Sequence, residues 1–207
     1  MEAKHGPMEH PPIIQIADNA DLGTLVDILS DGFSTDPMFN WVFPKTELYP
    51  HFFYLLVKEV YLPLGIVHLE NTGRAAALWL PPEARLEVAP RLGLLRFGIR
   101  LVGKTGGLRA LYRLYRQGCV FEKHYPSEPH YYLQFIGCRS EDQGQGIGAA
   151  LLKDGLAICD KRGMPAYLEC SNHRNVSLYQ RHGFHIKAQQ EVGKNGPMIW
   201  FMWRDPR

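Results

Sequence analysis

At 207 residues, with 45% hydrophobic and 21% charged side chains, the chain has the size and composition of one globular domain that needs no disulfide or metal staple. A net charge of +2 gives no argument for nucleic acid, and no run of about 18 apolar residues is present to span a membrane. The four cysteines, Cys119, Cys138, Cys159 and Cys170, have no CxxC spacing and read as reduced core residues, so a cytoplasmic setting and no metal are expected.

Residues 1 to 11 are polar and end in two prolines, which predicts a disordered tail without a secretory signal; residues 12 to 207 are expected to form the folded domain. Ile13 to Ala17 reads as a strand. Asp18 or Asn19 can cap a helix whose apolar face is Leu22, Leu25, Val26, Ile28 and Leu29, stopped at Gly32. Pro37, Pro44 and Pro50 then cut an aromatic-rich stretch into short helical pieces. Core packing explains those aromatics most simply; the functional alternative is an acceptor pocket with Phe39 and Trp41 in its wall and Asp36 as the counter-charge.

Residues 65 to 82 predict a hairpin turning at Asn71-Thr72-Gly73. Between Val88 and Val120 lie seven basic residues and no acid: Arg91, Arg96, Arg100, Lys104, Arg109, Arg113 and Arg116. Their interleaving with apolar residues predicts two helices broken at Gly106-Gly107, either with a solvated basic face or gripping an anionic ligand.

The stretch from His130 to Phe184 has the clearest punctuation. HYYLQFIGC is a strand by composition; five residues later come Gly144, Gly146 and Gly148, then a helix ended by Gly163 and Pro165. Glycines at a helix start let the backbone approach a ligand, and the unpaired N–H groups with the positive dipole end favour phosphate oxygens. A dinucleotide fingerprint would place its first glycine directly at the strand end and would need more parallel units than the residues after Glu169 supply. A Walker A loop is excluded because no Lys-Ser or Lys-Thr follows the glycines. A pyrophosphate-bearing cofactor other than a dinucleotide is left.

Gln143-x-x-Gly146-x-Gly148 after a strand resembles the coenzyme A motif of the GNAT acetyltransferase superfamily, and PAYLECSNHRNVSLYQRHGF is similar to that superfamily's next strand and helix. Asp36-Pro37 with Trp41, the His130-Tyr131-Tyr132 strand and the tail from Trp200 to Arg204 further resemble its puromycin acetyltransferase-like subgroup. The resemblance implies that Ile136, Gly137 and Cys138 offer backbone groups to a pantetheine arm. It implies that Gln143, Gly144, Gln145, Gly146, Ile147, Gly148 and Ala149 cradle a pyrophosphate. It further implies that Asn175 contacts the cofactor, and that the strands ending at Cys138 and Cys170 splay around the thioester of acetyl-CoA.

Tyr179 lies four residues from Asn175, hence on the same side of its helix, and as the family analogue it is the expected general acid for the leaving thiolate. Glu169 shares a strand side with Tyr167 and Ser171 and is a candidate base acting through water; Asp36, or no protein base, remains an alternative. His182 at a helix end suits the dipole rather than catalysis.

The expectation is a single-domain α/β GNAT-like fold, with a mixed, mostly antiparallel sheet and helices on both faces. It would transfer acetyl from acetyl-CoA directly to the amine of a small, cationic, aromatic or antibiotic-like acceptor, since no activated Ser or Cys arrangement is visible. The alternative is an acyl-CoA-binding sensor without turnover. Oligomeric state is not legible.

Overall fold

The computed structural model describes residues 11–43, 45–84 and 108–207. Residues 1–10 of the predicted tail over residues 1 to 11, Pro44 and the first of the two basic helices lie outside the described residues.

Strand β1 (Ile14–Ile16) is followed by a single 3-10 turn, Asn19–Asp21, and helix α1 (Leu22–Gly32). Asp18 does cap, but it caps the 3-10 turn: its carboxylate accepts from Ala20 N at 2.7 Å while Asp21 accepts from Asp18 N at 3.0 Å, a reciprocal capping box. The proline-cut stretch gives α2 (Pro37–Val42) and α3 (Tyr49–Leu56), the latter running through a π-helical turn at Val57–Tyr61. The hairpin is β2 (Ile66–Glu70) and β3 (Ala75–Leu80), with Gly73 at φ +77° in its turn, where an L side chain would be strained.

Helix α4 (Leu108–His124) is the second basic helix, beginning directly after the two glycines. Then follow β4 (Tyr131–Cys138), α5 (Ile147–Lys161), β5 (Ala166–Cys170), α6 (His173–Arg181) and the hairpin β6 (His185–Glu191) and β7 (Met198–Arg204).

Among the described residues the strands form one seven-stranded sheet in the order β1-β2-β3-β4-β5-β7-β6, in which only the β4 and β5 pair is parallel. Alternation along the strands divides the core in two. One core packs Tyr132, Phe135, Tyr167 and Phe201 with α1, α2, α3 and α4; the other packs Tyr131, Leu133, Leu168 and Met202 with α5 and α6. Gly155 in α5 sits directly on the Trp79 indole, and a Cβ there would fall 2.5 Å from the ring. This close approach seats α5 against β3.

Two features of β4 position the site. First, Leu78 of β3 pairs with Phe135 and the next residue, Trp79, pairs with Leu133, so Gln134 is an extra residue in β4, a β-bulge. The bulge shifts the alternation, sending Phe135 to the Tyr132 side instead of the Leu133 side. Second, β4 pairs with β5 only from Tyr131↔Ala166 to Leu133↔Leu168. Beyond the bulge the two strands diverge, as the family resemblance implies, and the β5-facing edge of Gln134–Cys138 has no strand partner.

The cysteines depart from the core reading. All four are free thiols, but only Cys159 and Cys170 are buried; Cys119 is exposed on α4 and Cys138 is half-buried. Cys119 falls on the solvent side of a helix that contributes only Ala110 and Val120 to its fully buried set.

Candidate active site

A cleft of about 410 Å3 runs along the open edge of β4 and the start of α5. It is lined by Ile136, Gly137, Cys138, Gln143, Gly144, Gly146, Ile147, Gly148, Ala149 and Asn175, which are all the sequence-predicted cofactor residues except Gln145, and by Tyr179. Gly144 and Gly146 adopt φ +81° and +84°, and Gly146 is the N-cap of α5. This left-handed geometry turns the loop into the helix so that its first N–H groups, which have no intrahelical acceptor, end at the cleft. A cleft wall of backbone amides and the N-terminus of a 15-residue helix fits an anionic ligand, and the open strand edge beside it fits an extended amide arm.

The surrounding contacts hold this wall still. Asp31, in the last turn of α1, accepts from Ser140 N at 2.6 Å and from Ser140 Oγ, tying α1 to the loop. Gly32 lies so close to β4 that a Cβ would sit 2.9 Å from the Cys138 carbonyl. Gln143 folds back to donate to the Cys138 carbonyl at 3.3 Å. In Arg181 and Asp142 the cleft gains two charged residues that the sequence reading did not single out.

A second, smaller cavity of about 40 Å3 opens in the splay between β4 and β5. It shares Phe33, Asp36, Ile136, Asn172, Asn175 and Tyr179 with the cleft, and adds Gln134, Glu169 and Ser171. Both predicted catalytic residues therefore face one space.

Glu169 reaches it from the side of the sheet that carries Tyr132 and Tyr167. Tyr132 Oη donates a short hydrogen bond to Glu169 Oε2, whereas the buried Oε1 has no hydrogen-bond partner. Burial pushes the Glu169 carboxyl up from 4.5 to about 7, against the lowering effect of the Tyr132 and Tyr167 hydroxyls. The Tyr167 hydroxyl is near enough to act on the charge, although it is itself buried without hydrogen-bonding geometry to a partner.

Tyr179 reaches the space from the opposite side of the sheet, packed among Val176, Phe184 and Cys170. Burial, with Cys170 and Asp36 nearby, holds its phenol well above the ordinary value, so it stays protonated throughout the neutral range. Burial likewise pushes Cys138 up to about 11 and Cys170 to about 12. These thiols are not poised as nucleophiles.

The acceptor residues read from the sequence separate. Asp36 lines both cavities, but its carboxylate is engaged: Oδ1 accepts from Met38 N and Phe39 N at 2.9 Å, capping α2, and Oδ2 accepts from Ser171 Oγ. Phe39 is buried against Phe33, Phe43, Tyr49, Phe53 and Phe135, with its ring stacked on Phe53 at 5.2 Å, and does not line either cavity. Trp41 faces the Arg113 guanidinium at 5.0 Å, away from both cavities. Phe39 and Trp41 thus each have a packing partner among the described residues. His182 caps α6, its Nδ1 2.8 Å from the Leu178 carbonyl.

The sequence reading gave no site role to Gln134, Tyr132 or Ser171, although it placed Ser171 on the Glu169 side of β5. A polar residue interrupting the apolar run YYLQFIGC was the available signal for Gln134, and Ser171 follows β5 directly, on the Glu169 side by alternation.

The matching segment agrees with this geometry: residues 101–184, which carry β4, the glycine loop, α5, β5 and α6, match the model of the Acetyltransferase (GNAT) family. The chain has the GNAT acetyltransferase fold. An acetyltransferase from Corynebacterium glutamicum, described as histone acetyltransferase HPA2 and related acetyltransferase, superposes with a TM-score of 0.68 at 25% identity, covering 96% of this chain and 98% of that one. Arylalkylamine N-acetyltransferase 2 from Aedes aegypti gives a TM-score of 0.61 at 14% identity over 96% of this chain and 100% of its own, a likeness of fold. An uncharacterized N-acetyltransferase of Schizosaccharomyces pombe is 39% identical over 54 residues, which is 26% of this chain and only 22% of that protein. Among the described residues, no helix is long and apolar enough to cross a membrane.

Proposed function

We propose that this GNAT domain is an N-acetyltransferase that moves an acetyl group from acetyl-CoA directly to a small amine. The observation that carries the proposal is the convergence of Tyr179 and Glu169, from opposite sides of the sheet, on the gap beside the phosphate-binding wall. When bound, acetyl-CoA supplies an activated acetyl thioester. Gly144, Gly146, Ile147, Gly148 and Ala149 would hold its pyrophosphate, and the open edge of β4 at Ile136 and Cys138 its pantetheine arm. Asn175 would contact the arm from α6.

The acceptor amine has to arrive neutral, and Glu169, with one free buried oxygen and a pKa of about 7, accepts its proton directly or through water. Tyr179 would hold its phenol proton toward the thioester sulfur, so that the sulfur could leave as a thiol and the phenol regain a proton from the acylated nitrogen. The raised thiol pKa values favour this direct route over an acyl-cysteine. Free thiols throughout fit a reducing compartment, for which we propose the cytoplasm. From the puromycin acetyltransferase-like subgroup we carry over no acceptor, because Asp36 and Trp41 already have structural partners here.

The test is thiol release from acetyl-CoA with a panel of primary amines. Wild type should turn over, and Tyr179→Phe should lose about 100-fold or more in kcat with CoA affinity retained. Binding of CoA without turnover across the panel, and no effect of Tyr179→Phe, would make the domain a cofactor sensor instead.

A further inference from the structure

Resting on the acyl-transfer reading, and going beyond it to the acceptor, we propose that the bulge residue Gln134, locked by Tyr61, restricts this site to amines carried on an unbranched carbon. The reacting end of the acceptor enters the gap as a terminal aminomethyl group; amines on a branched carbon, such as the α-amine of a peptide, are excluded.

Size is the first ground. The gap between the splayed strands measures about 40 Å3, a tenth of the cleft of about 410 Å3 that it adjoins. The reacting end of the acceptor thus enters the narrowest part of the site, where bulk on the amine-bearing carbon meets the walls. A second carbon on the amine-bearing atom has to displace Phe33, Leu133, Leu168 or Gln134, and three of these four are apolar side chains packed in the two cores.

Chemistry is the second ground. Asp36, Gln134, Glu169, Ser171 and Asn172 give the gap a polar lining suited to an amine and ill suited to a longer acyl tail. Glu169 Oε1 is buried without a hydrogen-bond partner, and an incoming N–H would satisfy it.

The lock is the third ground. Gln134 is the extra residue of the β4 bulge, at the point where β4 leaves β5. Its carboxamide oxygen accepts a short hydrogen bond from Tyr61 Oη, and Tyr61 is fully buried at the end of the π-helical turn Val57–Tyr61. A free Gln side chain would swing aside for a bulkier amine, whereas this one is pinned from the helical layer, and π-helical turns concentrate at functional positions. Gln134 is thus a specificity-determining residue and Tyr61 a positioning residue that acts through it.

The experiment compares kcat/KM for n-hexylamine and its isomer sec-hexylamine, equal in charge and bulk, in wild type, Gln134→Ala and Tyr61→Phe. Wild type should prefer the unbranched amine by at least about ten-fold, the scale on which a tight pocket rejects one extra carbon. Gln134→Ala should narrow that preference to a few-fold, chiefly by lowering KM for the branched isomer. Tyr61→Phe, which keeps the ring and removes only the lock, should fall between. Equal use of the isomers by wild type overturns the proposal while leaving acyl transfer intact. So does an unchanged preference in both variants, and so does a Gln134→Ala variant that gains propionyl-CoA over acetyl-CoA with its amine preference unaltered, since the gap would then hold the acyl methyl. No turnover of any primary amine by wild type overturns the acceptor proposal and the transfer reading together.

Discussion

The carboxyl of Glu169 titrates near 7 because it is buried, and this makes a measurable claim about stability as well as catalysis. In the unfolded chain the group ionises near 4.5; in the folded protein it holds its proton to about 7. Between those values the native state binds more protons than the unfolded state, so stability falls as pH rises. The contribution is fully present below 4.5, is lost progressively through 7, and is constant above it. A difference of about 2.5 pH units corresponds to roughly 3 kcal/mol, at 1.36 kcal/mol for each unit. Glu169→Gln removes the titration and keeps an oxygen able to accept from Tyr132 Oη. Urea unfolding of wild type and variant at pH 4 and pH 8 measures the effect with other titrations cancelled. The wild type should lose about 3 kcal/mol more than the variant over this interval, which at pH 8 makes the variant the more heat-stable by about 6–12 °C. Its acetyl transfer should meanwhile lose the rise in rate near pH 7 expected of wild type. Parallel pH slopes for the two proteins would mean that Glu169 ionises as an ordinary exposed carboxylate, and its assignment as a buried base would fail.

Three further outcomes follow from the packing and the loop. Tyr179→Phe should leave the thermal shift produced by CoA unchanged while kcat falls about 100-fold, because it removes a proton donor and no cleft wall. Gly155→Ala should lower Tm by about 2–8 °C, since its Cβ would fall 2.5 Å from the Trp79 ring and overpacking outweighs the roughly 1 kcal/mol gain in helix propensity. Gly146→Ala should cost about 1–2 kcal/mol of stability from its φ of +84°, and calorimetry should show weaker CoA binding, because the strain is relieved by moving the loop away from α5.

What the sequence made legible was local. The glycine loop, the ends of α5 and the two hairpins depend on residues such as Gly73, Gly146 and Gly163, whose backbone requirements are written within a few positions. The parallel pairing of β4 and β5 followed from resemblance, and it stands in the register from Tyr131 to Leu133. The acceptor side was illegible for a physical reason. Phe39 and Trp41 sit one turn from Asp36 with the composition of a pocket wall, yet the partners that bury them, Phe53, Phe135 and Arg113, are distant in sequence. Composition cannot tell an aromatic facing a ligand from one facing other aromatics. Cys119 shows the same limit in reverse, because its place on the outer face of α4 depends on which side of that helix meets the sheet.

The bulge at Gln134 would let the two halves of the proposed chemistry come from elements on different sides of the sheet. Along β5, Leu168 belongs to the core under α5 and α6, and Glu169 must therefore point to the other side, toward Tyr132 and Tyr167. Tyr179 on α6 belongs with Leu168. In an unbroken sheet a base and an acid so placed would be separated by backbone and could not serve one substrate. Past Leu133 the extra residue turns β4 away, β5 loses its β4 partner, and the backbone layer has a narrow gap. In the proposed reaction, proton removal from the acceptor nitrogen on one side and proton delivery to the sulfur on the other could then serve one thioester, without Glu169 and Tyr179 meeting and neutralising each other's function. The splay is thus the condition for the proposed acid and base to differ in environment.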